Sequence, residues 1–87
     1  MSRLVFVGPH APLAAAVAGA AYAGPAPDGA VAELIEELDE PLRVEGPIAG
    51  DDVVDTRDWD LPTPVGMCLE EVRELRAVIE DRVSRLR

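Results

Sequence analysis

"RLVFVGPHAPLAAAVAGAAYA", residues 3–23, decides how the chain is read. Residues 3–7 form a continuous apolar run rich in β-branched and aromatic side chains, as in a buried strand of a parallel sheet. "GPHAP" (8–12) is punctuated by glycine and proline and reads as a turn. "LAAAVAGAAYA" (13–23) is dominated by alanine, the strongest helix former, and Gly24-Pro25 stops it. Strand, tight loop and helix in that order make the front half of a β–α unit. Its loop lies at the carboxyl end of the strand, where α/β proteins bind ligands.

Outward from this unit, "PAPDG" (25–29) is a linker that places Asp28 as an N-cap. "AVAELIEEL" (30–38) puts Val31, Leu34, Ile35 and Leu38 on one helical face. "PLRVEG" (41–46) reads as a short strand and "GPIAGDD" (46–52) as a loop. "DVVDT" (52–56) is a further strand candidate, although aspartate is depleted in strands. From Cys68 to Arg87, Leu69, Val72, Leu75, Ile79, Val83 and Leu86 recur at helical spacing. Glu70, Glu71 and Glu74 crowd the start of that helix, and Arg82, Arg85 and Arg87 its end, matching the helix dipole. Asp81 and Arg85 form an i,i+4 pair. The expected architecture is one small α/β domain, residues 1–87, with a mostly parallel sheet of about three strands packed with three helices.

The composition narrows what such a domain can do. Eighty-seven residues bury only about 60–65% of the unfolded surface, so the stability margin is thin. Seventeen acids face eight basic residues, all arginine, and the chain has no Lys, Asn or Gln. A net charge of −9 repels nucleic acid and anionic membranes, which excludes both as partners. Acid-rich, lysine-free chains suit concentrated salt, which screens self-repulsion; a GC-rich genome is the competing explanation. The salt-adapted reading predicts that folding strengthens with salt. The single cysteine, Cys68, excludes an internal disulfide framework and fits a reducing cytoplasm. Residues 1–23 have the outline of a signal peptide, with "AYA" before Gly24, but "GPH" splits the apolar run. That run is also too short for a membrane span. The expected location is cytoplasmic.

The C-terminal stretch, "WDLPTPVG" (59–66) followed by "LEEVRELRAVIEDRV" (69–83), resembles the end of the low-molecular-weight protein tyrosine phosphatase family, especially its arsenate reductase branch. The family carries there a W-D-L-P-D-P-x-G loop and a helix of the same pattern. Residues 3–24 match the family in form only, as a strand, a phosphate loop of C-x5-R-[ST] type and a helix. The middle of the chain has no counterpart. The resemblance implies a phosphotyrosine-phosphatase-I-like, truncated fold.

It also implies a dismantled active site. Where the family has its nucleophilic cysteine this chain has Gly8, which cannot form a covalent adduct. The oxyanion-gripping arginine is replaced by Ala14 and the general acid by Thr63. Pro9 and Pro12 lack the N–H groups a phosphate cradle needs. Gly8, Pro9, His10, Ala14 and Thr63 thus make a vestigial loop.

Other residues offer contacts more readily than catalysis. His10 is the only histidine and sits on the loop at the end of the first strand. Cys68, near the start of the last helix, gains from the helix dipole but is opposed by Glu70 and Glu71. Asp51, Asp52, Asp55, Asp58 and Asp60 match no calcium loop, so no metal or cofactor is expected. Trp59 packs its loop against the sheet in the simpler reading. His10, Trp59, Asp58 and Asp60 are the candidate contacts. The expected function is a non-catalytic binding or regulatory module whose partner is another protein or a second copy. The alternatives are a residual enzyme using His10 or Cys68 with Asp58 and Asp60, and a structural subunit completed by dimerisation. In that picture a bared sheet edge and apolar surface lie next to "GPHAP" and "RDWDLPTP".

Overall fold

Four strands, not three, align in parallel in the computed structural model, which describes residues 3–39 and 42–86. They are β1 (Leu4–Val7), β2 (Ala21–Tyr22), β3 (Arg43–Val44) and β4 (Asp52–Asp55), in the order β3-β2-β1-β4. Helices α1 (Ala11–Ala18), α2 (Gly29–Leu38) and α3 (Leu69–Arg85) complete the α/β domain, with a single 3-10 turn at Thr56–Trp59.

The additional strand comes out of the alanine-rich segment. The helix expected over 13–23 stops at Ala18, because Gly19 adopts a left-handed conformation (φ 67°) that alanine reaches only with strain. Gly19 N–H and Ala20 N–H both turn back to the Ala15 carbonyl, and the chain leaves the helix axis. Ala21 and Tyr22 then pair with Val5 and Phe6 of β1. Helix propensity favours "AAYA" as helix; pairing with a preformed strand overrides it. The same residues that imitate a cleavage site are a buried strand.

Register sorts the sheet into two faces. Val44, Tyr22, Phe6 and Val54 lie in one row and share a face; Arg43, Ala21, Val5 and Val53 share the other. Phe6 and Tyr22 belong to the main apolar cluster, and so do all the buried residues of the three helices. Val5 and Ala21 are equally buried but lie outside that cluster, on the opposite face. α1 rests on β1 and β2, and α3 packs against α1 and α2. Ala11, Ala14, Ala15 and Ala16 of α1 are buried in the same cluster. Val72, Leu75, Ile79 and Val83 of α3 are buried there, each worth about 1.5–3 kcal/mol of transfer free energy.

Polar links tie the layers at their rims. Arg73 of α3 bonds Glu37 of α2 at 2.9 Å, and the expected Asp81–Arg85 pair forms at 3.1 Å. Arg3 joins both ends of the connection between β3 and β4, through Glu45 and Asp51. Among the described residues no helix is long and apolar enough to cross a membrane.

Candidate functional site

β1 delivers its chain into Gly8-Pro9-His10, and α1 starts at once with His10 as its N-cap residue. Gly8 has φ +97°, a conformation that disfavours any side chain. A Cβ placed there would meet Thr56 Oγ1 at 2.6 Å and Asp55 Oδ1 at 3.0 Å. The space a nucleophile would need is therefore filled from β4 and the turn that follows it.

Thr56 is fully buried and is the residue that organises the loop. Its hydroxyl donates to the Val7 carbonyl at 2.8 Å and accepts from His10 N–H at 3.1 Å. Ala11 N–H turns to the Gly8 carbonyl at 3.2 Å. Two of the loop N–H groups, those of His10 and Ala11, are thus engaged within the chain, and Pro9 and Pro12 have none. Thr56 was invisible as a site residue in the sequence, where it ends the "DVVDT" strand. Asp55 and Arg57 clasp one another beside it, and the guanidinium holds the Asp55 carboxyl below its ordinary pKa.

His10 is 2% exposed and does not present itself to solvent, so as a surface contact it is corrected to a buried residue. Its Nε2 lies 3.4 Å from the Leu61 carbonyl, which can only accept, so the proton sits on Nε2. Nδ1 is buried without a partner. Burial pushes the imidazole pKa down, and the Leu61 carbonyl opposes this only partly. The folded chain refuses a proton that the unfolded chain accepts below about pH 6.5. Stability from this group is therefore complete above that pH and falls as pH drops through the window down to the lowered folded value. His10→Leu should flatten that part of the Tm–pH curve relative to wild type. A ring-proton NMR midpoint at or above the unperturbed value would contradict the assignment.

The remaining candidates separate. Ala14 is fully buried in the main cluster, so an arginine there would bury its charge in the core instead of reaching the loop. Trp59 is half-buried and meets the Phe6 ring edge-on, with centroids 6.0 Å apart, which makes it a packing residue of its loop. Asp58 and Asp60 are exposed, and Asp60 takes the left-handed cap position after the 3-10 turn (φ 53°). Cys68 is exposed at the start of α3, where its N–H donates to the Glu71 carboxylate at 3.3 Å. Among the described residues no group of three or more His, Cys, Asp or Glu side chains could hold a metal.

What the loop does border is a cleft of about 410 Å³ at the carboxyl ends of β1 and β2. Gly8, Pro9 and Pro12 form one wall, Tyr22 through Asp28 the floor and second wall, and Val31 and Thr63–Val65 the third. Among the described residues Asp28 is the only charged one in the lining, and its carboxylate makes no capping bond to α2. Tyr22 is buried at the base, and burial raises its phenol pKa. A second hollow of about 320 Å³ continues past Val31, Pro64 and Val65 to Met67. Val65, between the two, is 84% exposed. Thr63 keeps its hydroxyl near Val65 N–H at 3.5 Å. Neither His10 nor Cys68 lines either space.

Comparison with known proteins adds no relative: the chain matches no protein-family model, no curated protein and no solved structure.

Proposed function

We propose that the chain is a non-catalytic binding module, derived from a phosphatase-like scaffold, that takes apolar, non-anionic groups in the cleft beside Gly8. The observation that carries the reading is the crowding at Gly8 by Thr56 and Asp55, which leaves no room for a nucleophile where the scaffold would hold one. The cleft supports it. Its size falls in the range of small-ligand sites, and its walls are prolines, valines and one tyrosine. With Asp28 as the only charge among the described lining residues and −9 on the whole chain, the field favours neutral or cationic groups over phosphate. An aromatic or aliphatic side chain of a protein partner fits that chemistry, as does a small aryl amine. The acids on the outer face of α2, Glu33, Glu36 and Glu37, are exposed and accord with life in concentrated salt.

Benzylammonium and phenyl phosphate test the site, being matched in ring and opposite in charge. Benzylammonium should shift the methyl resonances of Val31 and Val65, and phenyl phosphate should leave them unmoved. Val31→Trp, which fills the cleft, should remove the response. Tighter binding of phenyl phosphate, or its turnover by the purified chain, sinks the proposal.

A further inference from the structure

The outer edge of β3 is an exposed edge of the sheet, with both residues of the strand exposed. β3 ends the strand order and pairs with β2 alone among the described strands. Glu45 N–H donates to the Tyr22 carbonyl at 3.0 Å, so the backbone groups of Arg43 and Glu45 face β2. Alternation along an extended chain turns the N–H and C=O of Val44 outward, with those of Leu42 and Gly46 beside it. The Val44 side chain is 60% exposed at this edge.

We infer that this edge joins a second copy of the chain by antiparallel two-fold pairing centred on Val44. The two-fold axis sets Val44 against its own copy, Arg43 against Glu45 of the second copy, and Leu42 against Gly46. The central pair exchanges two N–H···O bonds, and each Leu42–Gly46 pair adds its own. Pro47, which has no N–H, falls at a position facing β2, so the outer ladder loses no donor. Arg43 and Glu45 lie on one face of the strand with opposite signs, so the operation forms two ion pairs between copies. Arg43 is free to turn to that partner, because its bond to the Gly19 carbonyl (2.8 Å) is exposed. Glu45 also bonds Arg3 through its carboxylate, whose second oxygen can accept from the partner's guanidinium.

The opposite edge shows the contrast. β4 and its approach carry Asp51, Asp52 and Asp55, so the same operation there would set carboxylates against each other. One edge is complementary to itself and the other repels itself. Nine net negative charges per copy oppose any contact in dilute buffer. The pairing is therefore read in molar KCl, where the Debye length is about 3 Å and only groups in contact still interact.

Light scattering at micromolar to millimolar chain in molar KCl should give the mass of two chains, each 9.3 kDa. Val44→Pro removes an N–H that serves only the outer ladder, so mass should fall to one chain with Tm and far-UV CD unchanged. Arg43→Glu sets two glutamates opposite one another and should also give one chain. Adding Glu45→Arg to Arg43→Glu should restore two, at the cost of two exposed bonds, Arg43 to the Gly19 carbonyl and Glu45 to Arg3. A wild-type mass of one chain throughout the range overturns the inference. So does a dimer that survives either single substitution, or a charge swap that fails to restore pairing. Val44 lies outside the cleft lining, so Val44→Pro should leave the benzylammonium response intact, and either proposal can fail without the other.

Discussion

Replacing Gly8 by alanine or cysteine is expected to destabilise the fold by about 2–6 kcal/mol and to create no phosphatase activity. Two costs add. A side chain at φ +97° carries strain of about 1–3 kcal/mol. Its Cβ also falls 2.6 Å from Thr56 Oγ1, inside van der Waals contact, and overpacking of this kind costs about 1–3 kcal/mol. Thr56 cannot step aside, since its hydroxyl is held by Val7 and His10 and the residue is fully buried. The sum is a large share of the roughly 5–15 kcal/mol that stabilises an ordinary domain. The cysteine variant is the informative one. If the loop lacked only a thiol, Gly8→Cys would supply a nucleophile, and aryl phosphate turnover would appear. A variant that folds with wild-type stability in urea melts, or that hydrolyses p-nitrophenyl phosphate, shows the loop to be intact in all but one atom and defeats the argument.

Thr56→Val should cost about 2–6 kcal/mol, although it conserves shape and increases apolar content. The hydroxyl bridges a carbonyl at the end of β1 and an N–H at the start of α1. Its removal leaves two backbone groups unpaired in the interior, at about 1–3 kcal/mol each. Thr56→Ser keeps the bridge and loses one methyl group, about 1 kcal/mol. Urea denaturation of the two variants separates packing from hydrogen bonding at this residue. If valine is tolerated as well as serine, the bridge contributes nothing and the loop is held by the Gly8–Pro9–His10 turn alone. The loss should also reach the cleft, because Gly8 and Pro9 form its wall. Weaker benzylammonium binding by Thr56→Val is expected even at temperatures where the variant is fully folded.

Local signals carried much of the architecture. α3 was legible from end to end, since Val72, Leu75, Ile79 and Val83 recur at helical spacing and their burial follows from that period alone. β1 and β4 were legible as strands, and α2 from its apolar face. These elements are determined by side-chain periodicity, which a chain displays before it folds. The acidic charge, and Gly8, Ala14 and Thr63 with no thiol, guanidinium or carboxyl between them, were equally plain in the residues themselves. β2 was not, because two residues inside an alanine-rich run become a strand only when β1 offers its edge, and propensity favours the other outcome. The burial of His10 and the role of Thr56 were hidden for a related reason. The residues are 46 apart in sequence, and only the parallel pairing of β1 with β4 brings them together. The same pairing fills the space at Gly8 and leaves the neighbouring space open as a cleft. Periodicity, charge and missing groups are properties of single segments, so the sequence by itself determined them. A site is a relation between segments distant in the chain, and the tertiary structure alone decided where theirs would meet.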